Sequence, residues 1–167
     1  MTKLTSLAGA AKFSKKAKAS GQTVGLVVGS FDILHLGHIN LFRFAKRHID
    51  VLIIGLDNDQ TIKLVKGKNR PVNNFKRRSE LLSDLLTIDK IFLIEKISFH
   101  GSEEALNGYQ AIIDTIRPTH IFTHKLCDRH WNEKRRLAKE SNITFLLDRS
   151  KRVTNSGKII EKLILEI

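Results

Sequence analysis

The residues whose types and spacing point most directly to chemistry are His35-Leu36-Gly37-His38, two histidines flanking a leucine and a glycine. An apolar run, Val24 to Val28, and a turn, Gly29-Ser30-Phe31-Asp32, precede them. Ile39, Leu41, Phe42, Phe44 and Ala45 follow at helical spacing. The histidines therefore fall where a buried strand ends and a helix begins. Backbone N–H groups and the positive end of a helix dipole point at an anion there. Gly37 removes the Cβ that would keep a phosphate off the backbone. Imidazoles can donate hydrogen bonds to phosphate oxygens, so the segment predicts a phosphate-handling site. Neither an HExxH pattern nor a Cys/His cluster supplies further ligands for zinc. No metal site built from protein side chains is predicted.

The charge pattern agrees. The net charge is +12. Between Asp59 and Glu80 there is no acid, but there are Lys63, Lys66, Lys68, Arg70, Lys76, Arg77 and Arg78. A segment this basic suits the polyanionic triphosphate of a nucleotide. Aromatic residues do not alternate with these charges, so a stacking platform for nucleic acid is not expected.

Alternating elements must position these residues. Strands are expected at Val24–Val28, Val51–Leu56, Lys90–Ile94, His120–Thr123 and Ile143–Leu147. Helices are expected at about Leu36–Arg47, Asn74–Leu86, Glu103–Ile116, Trp131–Ser141 and Ser156–Leu165, with a basic loop after the second strand. Strands separated by helices imply parallel crossovers. The fold class is α/β, a Rossmann-like doubly wound parallel sheet of about five strands with helices on both faces. Ligands bind such sheets beyond the carboxyl ends of the strands, where His35, Asp57 and Asp59 fall. Residues 1–20 form a basic segment (Lys3, Lys12, Lys15, Lys16, Lys18), expected to be helical from about Ser6 to Ala19; residues 21–167 form one domain. The lone Cys127 excludes an internal disulfide and reads as a small structural residue in a reducing, cytoplasmic setting. No apolar run approaches the ~20 residues of a membrane span.

With its Gly29-Ser30-Phe31-Asp32 lead-in, the H-x-G-H motif resembles the signature of the cytidylyltransferase-like nucleotidyltransferases. This superfamily includes glycerol-3-phosphate cytidylyltransferase and the adenylyltransferase domain of ADP-heptose synthase. Lys66-Gly67-Lys68-Asn69-Arg70-Pro71-Val72-Asn73, followed by Arg78, is similar to a segment of the heptose adenylyltransferases. The resemblance is dense from about Gly21 to Ile94 and returns near the C-terminus. It implies catalytic roles for His35, His38, Lys46 and Arg78. It implies nucleotide contacts from Gly29, Ser30, Phe31, Asp32, Gly37, Asp59, Lys66, Asn155 and Ser156. Asp128 and Arg70 are expected at the acceptor. Asp32 orients a histidine, touches a metal's water shell, or simply caps the turn. The implied reaction transfers a nucleoside monophosphate, AMP from ATP, to a phosphorylated sugar or polyol with release of pyrophosphate. Mg²⁺ accompanies the triphosphate, and a homodimer is expected.

The chain also departs from the family. The G-G-D or G-D-D element expected after strand four reads Thr123-His124-Lys125-Leu126-Cys127-Asp128. The hydroxyl-rich C-terminal element reads Thr154-Asn155-Ser156-Gly157, where Asn155 or Ser156 can also be a plain N-cap. The stretch Ser98 to Tyr109 is longer than the matching loop. Two alternatives follow. One is the same chemistry with CTP and glycerol 3-phosphate or a similar phospho-alcohol. The other is a catalytically weak homologue that binds nucleotide or nucleic acid.

Overall fold

Apolar runs as long as Val51–Leu56 must be covered on both faces, and the chain does this with one six-stranded parallel sheet between two layers of helices. The computed structural model describes residues 2–95, 98, 100–151 and 154–165, without the side chains of Leu163 and Ile164. The strands are β1 (Leu4–Thr5), β2 (Val24–Gly29), β3 (Val51–Asp57), β4 (Lys90–Ile94), β5 (His120–His124) and β6 (Thr144–Asp148). The helices are α1 (Leu7–Ala19), α2 (Leu36–Lys46), α3 (Asp59–Lys66), α4 (Phe75–Ser83), α5 (Glu103–Ile116), α6 (Trp131–Glu140) and α7 (Ser156–Leu165). The spatial order is β1-β4-β3-β2-β5-β6. Chain direction along the sheet reverses at β2, because β3 lies on one side of it and β5 on the other. The crevice beyond the carboxyl ends of β2 and β5 is the switch point.

Each face of the sheet has its own core. On one face Ala10 and Ala17 of α1, Ile112, Ile113 and Ile116 of α5, and Leu137 of α6 cover Val24, Leu26, Ile53 and Ile121. On the other, Leu41, Phe42 and Ala45 of α2 and Leu82 of α4 cover Val27, Leu52, Ile54 and Phe122. Glycine is required at Gly55, where a Cβ would lie 2.9 Å from the Phe92 ring and 3.1 Å from Val28.

The five expected strands are present, three of them extended by a residue to Gly29, Asp57 and His124 and one shifted by a residue. Two elements were not expected. The two-residue β1 adds an edge beside β4, with Leu4 opposite Ile91. The basic segment opens as a helix, α3. Asn58 caps it, its Oδ1 accepting from the Thr61 N–H at 2.7 Å while its amide donates to the Ile94 and Glu95 carbonyls. Gly67, at φ +100, ends it. With eight residues and only Thr61 and Ile62 buried, its periodicity is too short to read. The basic N-terminal segment is helical from Leu7, capped by Ser6, and is built into the fold: Ser14 donates from its hydroxyl to the Ile116 carbonyl at 2.8 Å. Among the described residues no helix is long and apolar enough to cross a membrane.

Candidate active site

At the switch point the chain turns sharply. Phe31 takes a positive φ of 46°, and its ring folds back across the end of β2. Asp32 follows, fully buried, and His35 then begins α2 from an extended conformation. His35 caps its own helix, because Nδ1 accepts from the Gly37 N–H at 3.1 Å. That bond leaves the ring proton of a neutral His35 on Nε2. Gly37 is required here, since a Cβ would lie 3.0 Å from the His35 ring.

His38 stacks on His35 with centroids 3.8 Å apart and planes 22° from parallel, and meets the Phe31 ring edge-on at 5.1 Å. Burial, the adjacent His35 and the Lys66 charge push the His38 pKa down to about 3. His38 is therefore neutral at physiological pH. Its Nδ1 is buried with no hydrogen-bond partner among the described residues.

A cavity of about 1150 Å³ opens over this turn, walled by the ends of β2, β3, β4 and β5 and by α5 and α6. Gly29, Ser30, Phe31, Asp32, His38, Lys66, Asp128 and Ser156, all expected site residues, line it. The start of α7 reaches it too: the Thr154 carbonyl would stand 3.7 Å from a Cβ on Gly37. Two helix N-termini, those of α2 and α7, thus converge on one space. Asn155 caps α7 by accepting from the Lys158 N–H at 3.0 Å.

Lys66 projects at the cavity mouth and makes no hydrogen bond or ion pair with a described residue. Desolvation and the neighbouring Arg70 and Arg78 charges lower its pKa, while Asp57 and Asp32 oppose the shift. Most other cations at the site are already matched. Arg70 binds Asp32, with Nε and Nη2 both 2.6 Å from Oδ2, and donates to the Ser156 hydroxyl at 3.1 Å. Asp32 also accepts from the Asn73 N–H at 2.9 Å.

Four expectations need correction. Lys46 does not line the cavity. It lies in the last turn of α2, far along the helix from His38, and pairs with Asp89 at 3.0 Å and the Asp50 carbonyl at 2.5 Å. Eight residues of helix carry it ~12 Å from the motif, further than its side chain returns. Arg78 is wholly buried and does not face the cavity. It donates to the carbonyls of Ser30 (2.5 Å), Asp57 (2.7 Å) and Asn73 (3.0 Å) and to Asp59 (2.7 Å). It clamps the turn that presents the site. Asp59 completes that clamp, its other oxygen accepting from the Phe75 N–H at 3.1 Å, and it does not line the cavity. Arg70 likewise spends its fork on Asp32, so the acceptor role expected for it is not what its geometry provides.

His100 and Lys134 had no sequence signal, but they engage two carboxylates that did, Asp57 and Asp128. Asp57, buried at the end of β3, accepts from the Ser30 hydroxyl at 3.0 Å and lies 3.3 Å from His100 Nε2. Burial pushes its pKa up, but His100, Ser30 and the Lys134 charge outweigh that and hold it below the usual range. Asp128 behaves alike: burial raises it, and Lys134 (2.7 Å), Thr123 (2.7 Å) and the His130 N–H (2.9 Å) bring it down. Lys134 also stands 5.3 Å from the centre of the Tyr109 ring. Among the described residues no three His, Cys, Asp or Glu side chains gather as metal ligands. The carboxylates of Asp32, Asp57 and Asp128 are each engaged by protein donors.

Comparison with known proteins identifies the family. The family described as Cytidylyltransferase-like matches residues 26–155. The chain belongs to that family. Among curated relatives, the bifunctional protein HldE of Hyphomonas neptunium is 40% identical over 90 residues, covering 54% of this chain and 18% of that protein. HldE of Paramagnetospirillum magneticum is 35% identical over 116 residues, covering 70% of this chain and 22% of that protein. The chain thus spans about a fifth of the length of these relatives. Among solved structures, the lipopolysaccharide core biosynthesis protein of Thermoplasma volcanium aligns over 80% of this chain and all of its own, at TM-score 0.58 and 24% identity. A bifunctional NMN adenylyltransferase/ADP ribose pyrophosphatase of Francisella tularensis aligns over 87% of this chain and 43% of its own, at TM-score 0.65 and 14% identity. These two show a shared fold.

Proposed function

We propose that this protein is a nucleotidyltransferase that moves AMP from ATP onto a phosphorylated sugar or polyol and releases pyrophosphate. The observation that carries the reading is the stacked His35–His38 pair at the converging N-termini of α2 and α7, with His38 neutral and lining the cavity beside the unpaired Lys66. Such a place receives a polyphosphate by dipoles and hydrogen bonds. An oxygen of the acceptor phosphate attacks the α-phosphorus, and the bond from that phosphorus to the bridging oxygen of pyrophosphate breaks. The acceptor phosphate is already ionised at neutral pH, so the attack needs no general base. The protein supplies alignment and donors for the charge that moves onto the leaving group.

Each part of the site has a task in that reaction. His38, neutral, and His35 donate to phosphate oxygens. Lys66 offsets the charge of the triphosphate. The Arg78 clamp and the Asp32–Arg70 pair keep the turn in place before the substrate arrives, so little reorganisation accompanies the reaction. Mg²⁺ belongs to the substrate in this reading, held by triphosphate oxygens and water. ATP is favoured over CTP because the Lys66–Asn73 segment is more similar to heptose adenylyltransferases than to cytidylyltransferases, in keeping with the HldE relatives.

The test is pyrophosphate release with Mg²⁺ and either ATP or CTP, against heptose 1-phosphate, other sugar 1-phosphates and glycerol 3-phosphate. Turnover with ATP and a sugar phosphate supports the reading. Turnover only with CTP and glycerol 3-phosphate replaces it with a cytidylyltransferase. Nucleotide binding without turnover on any acceptor replaces it with a binding protein.

A further inference from the structure

The nucleotide-like motifs occupy one side of the cavity: the turn after β2, the start of α2, Lys66 and the start of α7. Another part of its wall comes from α5 and from His100 before it, within the Ser98–Tyr109 stretch that departs from the family pattern. Two side chains there have unmet hydrogen-bonding capacity. His100 lines the cavity with its ring one-third exposed, and Nε2 lies 3.3 Å from the buried Asp57. Its Nδ1 has no hydrogen-bond partner among the described residues. Tyr109 is only 7% exposed and lines the same cavity, yet its hydroxyl has no partner among the described residues. The residue is buried, but its hydroxyl oxygen stays open to the cavity, where it can meet a ligand. Burial, and then the Asp128 charge, raise its pKa, so it stays protonated and can donate.

We propose that His100 and Tyr109 form the subsite for the second substrate, an anionic, hydroxyl-rich molecule of the phosphorylated carbohydrate class. The proposal rests on the nucleotidyltransferase reading above. Asp57 fixes the His100 ring at Nε2, as carboxylates fix metal-bound or catalytic histidines elsewhere. The free Nδ1 then donates to a phosphate oxygen when the ring is protonated and accepts from a sugar hydroxyl when it is neutral. Lys66 and Lys134 both place positive charge near Asp57, so an anion entering here is not repelled. The same carboxylate accepts from Ser30, in the turn that presents the histidine pair. Asp57 therefore ties the position of the second substrate to that of the first. Losing one such polar contact changes discrimination strongly, because the partner groups are left buried and unpaired.

The experiment combines kinetics with a probe that needs no turnover. Protein with ¹⁵N-labelled histidine is titrated with inorganic phosphate, glycerol 3-phosphate and heptose 1-phosphate, with and without a non-hydrolysable ATP analogue. His100→Gln assigns the His100 signals. The expected result is a His100 shift on adding a phosphorylated acceptor and none on adding the nucleotide analogue alone. In steady state, His100→Gln and Tyr109→Phe should each raise KM for the acceptor about tenfold and leave KM for ATP within twofold. A His100 signal silent to all three probes, or a rise in KM confined to ATP, overturns the subsite. Wild-type turnover with a silent His100 removes the subsite and keeps the function. A responding His100 without pyrophosphate release from any acceptor removes the function and keeps a phosphate-binding subsite.

Discussion

Arg78→Lys separates two roles that the same arginine could play. If Arg78 touched the triphosphate, as the family resemblance implies, lysine would keep the charge and lose mainly nucleotide affinity. The structure instead shows four hydrogen bonds, to three backbone carbonyls and to Asp59, from a side chain with no exposed surface. A lysine offers one nitrogen where the guanidinium offers a planar fork, so it can serve about two of the four acceptors. The other two remain buried. At roughly 1.5 kcal/mol for each lost bond to a charged donor, the change should cost about 3 kcal/mol. Native stabilities run to only ~5–15 kcal/mol, so that is a large share. Urea unfolding should show a midpoint about 1–2 M lower at unchanged slope. Because Ser30 and Asp57 lose part of their anchor, kcat should fall about tenfold, while KM for ATP should stay within threefold. A variant as stable as wild type, with KM for ATP raised tenfold or more, would refute the clamp and restore the direct phosphate contact.

Lys46→Ala should leave kcat/KM within twofold, because its ammonium serves Asp89 and the Asp50 carbonyl; unfolding should report a loss of about 1 kcal/mol from this half-exposed pair. His35→Ala and His38→Ala should each lower kcat by about a hundredfold, the scale of removing one transition-state donor, as read by pyrophosphate release. His38 should also make the fold acid-sensitive. Its folded pKa of about 3 lies below the ordinary 6.5, so the unfolded chain binds a proton that the folded chain refuses. The stability is complete above pH 6.5 and declines by about 1.4 kcal/mol per unit on going down toward pH 3. Urea midpoints at pH 7.5 and 5.0 should differ less in His38→Asn than in wild type, and equal differences would sink this account.

Sheet and helix positions were legible because the signals were strong and local. Val51–Leu56 is too apolar and too short for anything but a central strand, and Pro118 stops α5 two residues after Ile116. The H-x-G-H pair was legible for the same reason: strand, turn, glycine and helix are all close in sequence. What failed was range. Arg78 and Asp59 are both polar and lie near a basic segment, and nothing local says that the arginine turns inward to four acceptors contributed by residues 5 to 48 positions away. Lys46 failed on direction: helical periodicity gives the face of α2 but not whether a side chain two turns on looks back toward the motif or onward to Asp89. His100 and Tyr109 carry no motif. They became visible only when the fold brought α5 over the end of β3.

The matched pairs also explain how a chain of net charge +12 presents a site with little free charge. Arg70 is neutralised by Asp32, Arg78 by Asp59, Lys134 by Asp128, and Asp57 faces His100. Of the cavity's cations, Lys66 and Arg129 make no hydrogen bond or ion pair with an acid among the described residues. An unbalanced cluster of arginines would repel itself in the empty site and would have to reorganise when a polyphosphate arrived. Here the ion pairs hold the turn and the two helix starts in place without substrate, and in the proposed reaction the receiving groups are the His35 and His38 rings, Lys66, backbone N–H groups and helix dipoles. Fixed dipoles need no rearrangement as charge moves from the α-phosphate to the departing pyrophosphate, and this is the property that lowers a barrier. The surplus positive charge lies instead on exposed faces such as Lys12, Lys15 and Lys16 of α1, where it can draw an anionic substrate inward without taking part in the reaction.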